Sequence, residues 1–239
     1  MQKFKKYKKN DKHSYTFGAF PTLELIRSNN YNIIAIFIDD KYNDKENLIK
    51  ELEDKNIYYE IAPNVIKRIS NKENTYVVGV FEKKNYKLEK NNHIILHDIS
   101  DMGNLGTIIR SMLAFGYKDL ALIGNVADIY NPKVIRASMG AFFKIRFTHY
   151  DTIEKYIEEF DNKLYLFMLS NDMKDSIFNK KLASPYSLVF GNEGAGLPSE
   201  FEKLGEKIFI PQSDEVDSLN LPIAVSIGLY EFGGKRWNY

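Results

Sequence analysis

Asn104 and Arg110 are the first residues in this chain whose types and spacing suggest chemistry. A carboxamide both donates and accepts, and a guanidinium is a planar fork that fits phosphate or carboxylate oxygens. A second island, 189–197, reads Val-Phe-Gly-Asn-Glu-Gly-Ala-Gly-Leu and sets Glu193 among Gly191, Gly194 and Gly196. Its G-x-x-G-x-G spacing is neither a dinucleotide fingerprint nor a P-loop, and no Lys-Ser/Thr follows. Glu193 would repel a phosphate, so the loop suits a phosphate-free ligand read by backbone amides and carbonyls. The third island joins Ile210 and Pro211 to Ser218, Leu219 and Asn220.

Each island alone has a plainer reading. Asn104 serves as a helix cap and Arg110 as a surface ion-pair partner, while Ser218 and Asn220 cap the last helix. Pro222 is tolerated in that helix because first-turn amides lack intrahelical partners. The six-residue separation puts Asn104 in a loop or N-cap and Arg110 in a helix body, on sides about 120° apart. All three islands lie beside expected strand ends, where an α/β sheet gathers ligand sites. Capping explains one such island more easily than three.

The elements that must position these groups follow from apolar periodicity and breakers. In the first half, an amphipathic stretch at 17–28, a β-branched run at 33–38 and a charged helix at 43–55 come first. A short strand at 57–61, a helix opened by Pro63 and ending near 69, and a strand at 75–81 close a small α/β unit. The Lys/Asn-rich segment 84–92 reads as a linker. The second half alternates strands at 93–98, 120–123, 143–147, 164–169, 187–190 and 207–210 with helices at 105–115, 131–139, 152–160, 174–182 and 220–232. Such alternation predicts a mainly parallel sheet with helices on both faces. The domain expectation is an arm at 1–12, a small α/β domain at 13–83, the linker at 84–92 and a larger domain at 93–239.

Composition narrows the class. With 44% hydrophobic and 14% aromatic residues the chain can build real cores, which argues against disorder. The absence of cysteine removes disulfides, thiolate nucleophiles and Cys-based zinc sites. His13, His93, His97 and His149 are not spaced as metal ligands, so no metal is expected. No apolar run approaches the ~20 residues of a membrane span, and the charged start lacks a signal-peptide core, so a cytoplasmic protein is expected. Net charge is only +1, yet residues 1–12 hold six lysines against one aspartate. That arm reads either as a solvated tail or as an electrostatic lure for phosphates without sequence specificity.

The three islands, in this order, resemble the SpoU/TrmH family of RNA ribose 2′-O-methyltransferases. The block 97–110 looks like the family's first motif, 191–194 like its second, and 210–220 like its third. The segment 125–140, including Asn131-Pro-Lys-Val-Ile-Arg-Ala-Ser-Met-Gly140, is also typical of the family. The likeness is strong over about 93–235, and the first half is more loosely similar to the RNA-binding domain that precedes the catalytic one in many members. Met102 stands where proline is common and Asp214 where glycine is usual.

The resemblance implies a deep trefoil knot near the C-terminus, S-adenosyl-L-methionine as methyl donor, a homodimer, and transfer to a ribose 2′-hydroxyl in structured RNA. Ribosomal RNA is favoured over transfer RNA because of the separate N-terminal domain. By the same resemblance Arg110 is the central catalytic residue, with Asn104, Glu193, Ser218 and Asn220 around it. Gly191, Ile210, Leu219, Ser170 and Ser218 would contact the cofactor. An arginine is a poor literal base, so phosphate binding and polarisation of the 2′-oxygen is the favoured role. A tRNA 2′-O-methyltransferase, a knotted enzyme acting on a base nitrogen, and a non-catalytic RNA-binding homologue are the alternatives. Whether Lys133, Arg136 and Arg146 contact RNA or build the dimer face is open at this level.

Overall fold

In chain order the first 84 residues form β1 (His13–Phe17), α1 (Ala19–Ser28), β2 (Ile33–Ile38), α2 (Lys45–Asp54), β3 (Tyr59–Ile61), α3 (Pro63–Ile69) and β4 (Val77–Glu82). Then come β5 (His93–His97), α4 (Met102–Ala114), β6 (Asp119–Ile123), α5 (Pro132–Ala137), β7 (Arg146–Tyr150), α6 (Ile153–Glu159), β8 (Lys163–Phe167), β9 (Tyr186–Phe190), β10 (Glu206–Ile208) and α7 (Leu221–Gly233). This computed structural model describes residues 4–70, 74–170 and 172–233. Two compact units divide them: one runs to Lys84 and adds Asp128–Lys144, and the other takes Asn85–Ala127 and continues from Ile145.

The first unit is a four-stranded sheet in the order β1-β4-β2-β3, with β4 antiparallel to both neighbours and β2 parallel to β3. Alternate residues of β2 go to opposite faces. Ala35 and Phe37 pack with Phe4, Ile66 and Ile69, whereas Ile36 and Ile38 pack with Ile26, Leu48 and Leu52. Strand β1 was not expected from the sequence. Its Ser14, Tyr15 and Thr16 are all buried, so no wet face marks it. The buried hydroxyls are satisfied: Thr16 Oγ1 accepts from the Gly79 amide at 2.9 Å, and Ser14 donates to the Tyr130 carbonyl at 2.5 Å.

Residues 128–144 belong to this unit through aromatic packing. Tyr31 stacks on Phe142 with centroids 5.8 Å apart, Phe81 meets Phe143 edge-on at 5.5 Å, and Asn30 donates to the Phe143 carbonyl at 3.0 Å. A linear division at 84–92 therefore does not follow the compact units. The expected strand at 143–147 is displaced for the same reason: Ala141–Lys144 is a 3₁₀ turn with Phe142 and Phe143 buried, and β7 starts at Arg146. The basic arm is also docked. Phe4 is buried, Arg68 donates to its carbonyl at 3.2 Å, and the Tyr7 hydroxyl donates to the Asp128 carboxylate. Lys3 of the arm lies outside the described residues.

The second unit is a six-stranded, wholly parallel sheet in the order β10-β8-β9-β5-β6-β7. Ile95, Ala121, Val189 and Leu166 share one face with Tyr156 and Phe160 at α6. Their neighbours Ile94, Leu96, Leu120 and Leu122 turn to the other face and are equally buried. Helix α7 lies on that second face: a Cβ at Gly228 would come within 2.6 Å of the Phe167 ring. Ser111 of α4 and Ser226 of α7 are joined at 2.8 Å, which registers the two helices against each other. The helix expected at 174–182 is absent; short 3₁₀ turns, Met173–Asp175 and Ile177–Asn179, occupy it, each started by a side-chain cap from Asp172 or Ser176. Such local side-chain bonds compete with α-helix formation.

At the amino end of this sheet a buried polar chain runs from Asn162 to Ser187, Tyr156 and His93. Asn162 donates to Ser187 Oγ at 3.1 Å, Ser187 and Tyr156 hydroxyls are 2.6 Å apart, and Tyr156 Oη is 2.7 Å from His93 Nδ1. His93 Nε2 then donates to the Glu89 carbonyl at 2.6 Å. The chain fastens the end of the sheet opposite the strand ends that carry the islands. Arg146 is used structurally here as well: it makes a two-pronged bond to Asp119 at 2.7 and 2.6 Å and reaches Glu89 at 2.9 Å.

Candidate functional site

Helix α4 begins one turn earlier than expected. The Asp101 side chain accepts from the Asn104 amide at 2.7 Å, so Asp101 is the N-cap and Asn104 sits inside the first turn. This corrects the placing of Asn104 in a loop or cap, and it releases the Asn104 carboxamide for another partner. That partner is Glu193: Asn104 Nδ2 donates to Oε1 at 2.9 Å. Met102 fits as the first helical residue. Two turns on, Arg110 is exposed, and no hydrogen bond or ion pair engages it among the described residues.

The loop after β9 is held by Asn192. Its carboxamide oxygen accepts from the Gly194 and Ala195 amides at 2.9 and 3.0 Å, while its nitrogen donates to the Asp98 carbonyl at 2.9 Å. Asp98 stands just beyond β5 with φ of 55°. One side chain thus folds the loop on itself and ties it to the neighbouring strand end. Reciprocal backbone bonds between Asn192 and Gly196 close the turn. At Gly191 a Cβ would stand 2.3 Å from the Gly196 backbone, so only glycine allows the closure, and Gly196 itself has φ of 68°.

The closed loop is one wall of a pocket of about 480 Å³ at the carboxyl ends of β8, β9 and β10. That size is ordinary for a small-molecule or cofactor site. Gly191, Glu193, Ile210, Ser218 and Leu219 all line it, with Phe167, Phe190 and Leu197 as apolar surface. Phe167 and Phe190 stack with centroids 4.2 Å apart. Among the described residues the lining carries carboxylates, Glu193 and Asp217, and no lysine or arginine. A pocket with that charge excludes phosphates and admits a ligand with a flat apolar ring and a cationic portion. S-adenosylmethionine has those properties, and the glycine-lined backbone leaves room for close approach, so the residues fit it.

Other expected site residues lie apart from the lining. Ser170 is turned away, accepting from the Asp172 amide and bonding Asp175 at 3.2 Å, while its neighbour Leu169 borders the pocket. Asn220 precedes α7, where its carbonyl accepts from the Ile223 and Ala224 amides at 3.0 Å. Neither Ser218 nor Asn220 makes a side-chain hydrogen bond among the described residues. Asp214 lies in an exposed turn and has no positive φ, so glycine is not required there. His97 packs edge-on against Phe201 at 4.9 Å. Among the described residues no cluster of His, Asp or Glu is placed to hold a metal, and no helix is long and apolar enough to cross a membrane. The clamp at Asn192 was not singled out from the sequence; an Asn directly after a strand and two residues before glycine is the signal that points to it.

Residues 91–230 match the model of the SpoU rRNA Methylase family, more than half of the chain. The chain belongs to this family. The SpoU span takes in α4, the loop after β9 and the start of α7, so every element of the site lies within it. An uncharacterized tRNA/rRNA methyltransferase of Synechocystis is 31% identical over 146 residues, 60% of this chain and 53% of that protein. The 23S rRNA (guanosine(2553)-2′-O)-methyltransferase RlmP of Bacillus subtilis is 29% identical over 66% of this chain and 64% of its own length. The SpoU chain thus spans between about half and two thirds of these curated relatives. Among solved structures, an AdoMet-bound rRNA methyltransferase from Sinorhizobium meliloti aligns with a TM-score of 0.79 at 26% identity, covering 95% of this chain and 89% of that one. AviRb of Streptomyces viridochromogenes, solved with AdoMet, aligns at 0.81 with 23% identity over 94% of this chain and 91% of that one, a likeness of fold.

Proposed function

We propose that this SpoU-family protein transfers a methyl group from S-adenosylmethionine to a ribose 2′-hydroxyl of structured RNA, with ribosomal RNA as the substrate. The observation that carries the reading is the meeting of all three islands: Glu193 in the pocket wall bonded to Asn104 of α4, with Ser218 and Leu219 lining the same pocket. The related proteins named above, an RNA 2′-O-methyltransferase and AdoMet-bound structures, support the same reading.

The donor when bound supplies an already activated methyl on a sulfonium. The chain's own residues then have three tasks. Gly191, Ile210 and Leu219 hold the donor by backbone and apolar contact. The Asn104–Glu193 pair fixes the loop beside α4 and keeps a carboxylate near the cationic portion of the donor. Arg110, exposed and without a partner among the described residues, binds the phosphate next to the target ribose and polarises its 2′-oxygen, with Ser218 and Asn220 as polar neighbours. The hydroxyl proton leaves late to solvent as the oxygen–methyl bond forms and the sulfur–methyl bond breaks. Dependence on that hydroxyl selects RNA over DNA.

The finer features follow the family resemblance. They are a knotted backbone in the second unit, a C2 homodimer and a cytoplasmic place of work. An apolar groove of Thr107, Pro222, Ile223, Ser226, Ile227 and Tyr230, with Ile223 and Tyr230 exposed, supports α4 and α7 as the self-complementary face.

Methyl transfer from labelled S-adenosylmethionine to unmodified rRNA and tRNA, with the product nucleoside identified, tests the proposal. A 2′-O-methylribose in rRNA is the expected product. A base-methylated nucleoside, or donor binding without transfer to either pool, would overturn it.

A further inference from the structure

The first unit contains a second cavity, of about 230 Å³, walled by Lys6 and Tyr7 of the docked arm, Phe17 at the end of β1, and Asn131, Lys133 and Arg136 at α5. Three of the nine described residues that line it are cations. None of Lys6, Lys133 or Arg136 has a carboxylate partner among the described residues, whereas Lys144 and Arg27 in the same unit are paired with Glu24 and Glu51. The acids nearest in sequence, Asp128 and Asp11, form no ion pair with these cations; Asp128 accepts from the Tyr7 hydroxyl, and Asp11 from the Lys8 amide at 2.9 Å. Asn131 uses its carboxamide oxygen on the Lys133 amide at 3.0 Å, which leaves its amide nitrogen to donate.

Three uncompensated cations around a concave surface call for an anion. Phe17 and the Tyr7 ring add aromatic surface, which suits a sugar or base. The volume is below the ~300–1,000 Å³ of sites that enclose a drug-sized ligand, so the cavity fits one unit of a polymer better than a free metabolite. The arm adds Lys5, Lys8 and Lys9, all exposed, beside it. We propose that this cavity seats one nucleotide of the substrate RNA, its phosphodiester on Lys6, Lys133 and Arg136 and its sugar or base against Phe17. The inference rests on the RNA-methyltransferase reading and assigns part of its substrate to the first unit. It also gives the basic arm a fixed role: Phe4 and Tyr7 anchor it so that Lys6 becomes a wall of the seat.

The test compares two double variants of equal charge change in the full chain. Lys6→Glu with Lys133→Glu alters the cavity. Lys50→Glu with Lys55→Glu alters α2 and its C-cap; that helix packs on the opposite face of the same sheet. Fluorescence anisotropy with a labelled RNA stem-loop across a potassium chloride series reads binding, and circular dichroism checks folding. The cavity variant is expected to lose about tenfold or more in affinity and to flatten the log–log salt slope by about one to two, with the control within about twofold of the unaltered protein. A Lys133→Arg variant should bind normally. Equal losses in both double variants would mean only net charge is read, and would overturn the seat; so would binding of polyglutamate as tightly as RNA. S-adenosylmethionine titration and methyl transfer on the same preparations separate the two readings. Transfer to RNA with cavity and control variants alike removes the seat and leaves the enzyme. A selective loss of RNA binding without any methyl transfer by the unaltered protein keeps the seat and removes the enzyme.

Discussion

Asn104 on α4 donates its carboxamide to Glu193 in the loop after β9, 2.9 Å away and 89 residues along the chain. The bond connects the helix that carries Arg110 to the wall of the pocket. Both side chains are half-buried, and a hydrogen bond to a carboxylate in such a place contributes about 1.5–3 kcal/mol. Asn104→Ala and Glu193→Ala should each slow methyl transfer, and the double variant should be little worse than the poorer single one. A coupling energy near zero in that double-mutant cycle would show that the pair does not act as a unit.

Asn192 should matter as much as its neighbour Glu193. Asn192→Asp keeps the acceptor for the Gly194 and Ala195 amides but replaces the donor that meets the Asp98 carbonyl with an oxygen. A stability loss of about 1–3 kcal/mol is expected from the unpaired carbonyl and the new repulsion. Weaker S-adenosylmethionine binding by calorimetry should accompany it, because the displaced loop is a pocket wall. Unchanged donor affinity would separate the clamp from the pocket.

Gly191→Ala places a methyl 2.3 Å from the Gly196 backbone, where no flexible side chain can yield. The loop must open, at a cost of about 1–3 kcal/mol in overpacking. Donor affinity should fall at least about tenfold, the equivalent of ~1.4 kcal/mol. Thermal melting and calorimetry together check both effects; normal values in both would contradict the close approach.

Arg110 has no stabilising partner among the described residues, so Arg110→Ala should change stability by no more than about 0.5 kcal/mol. Donor binding should persist while transfer falls by about a hundredfold or more. Arg110→Lys should not restore it, because a point charge cannot bind a phosphate by two parallel bonds. Turnover by a folded, donor-binding Arg110→Ala protein at the normal rate would remove Arg110 from the chemistry.

Acid should weaken the fold through His93. Burial holds its pKa below the usual histidine value, and its ring accepts from Tyr156 and donates to Glu89 as a neutral imidazole. The unfolded chain therefore binds the proton first as pH falls below about 6.5, and stability present above that pH is lost below it. The slope from His93 is at most about 1.4 kcal/mol per pH unit. His13, also held low by burial, acts in the same direction. Melting temperature from about pH 8 to about pH 5 should fall more steeply for the parent protein than for a His93→Gln variant. Parallel profiles would assign the acid sensitivity elsewhere.

The sequence by itself determined the strands of the parallel sheet to within a few residues, because short apolar runs such as 94–96 and 188–190 have few other stable fates. It also marked out the candidate site through three short motifs, parts of which the fold brings to one pocket and its neighbouring helix. It could not place β1, whose inner and outer faces are both buried, nor tell that 128–144 packs with the N-terminal unit. Aromatic contacts such as Tyr31 with Phe142 span more than a hundred residues and leave no periodic trace. Tertiary structure alone decided which polar groups meet. The Asp101 cap moved Asn104 into the helix and freed its side chain for Glu193, and Asn192 bound the glycine loop to the end of β5. Ser170 and Ser218 look alike in sequence, yet only Ser218 lines the pocket, because a local bond to Asp175 and the Asp172 amide holds Ser170 in its own turn.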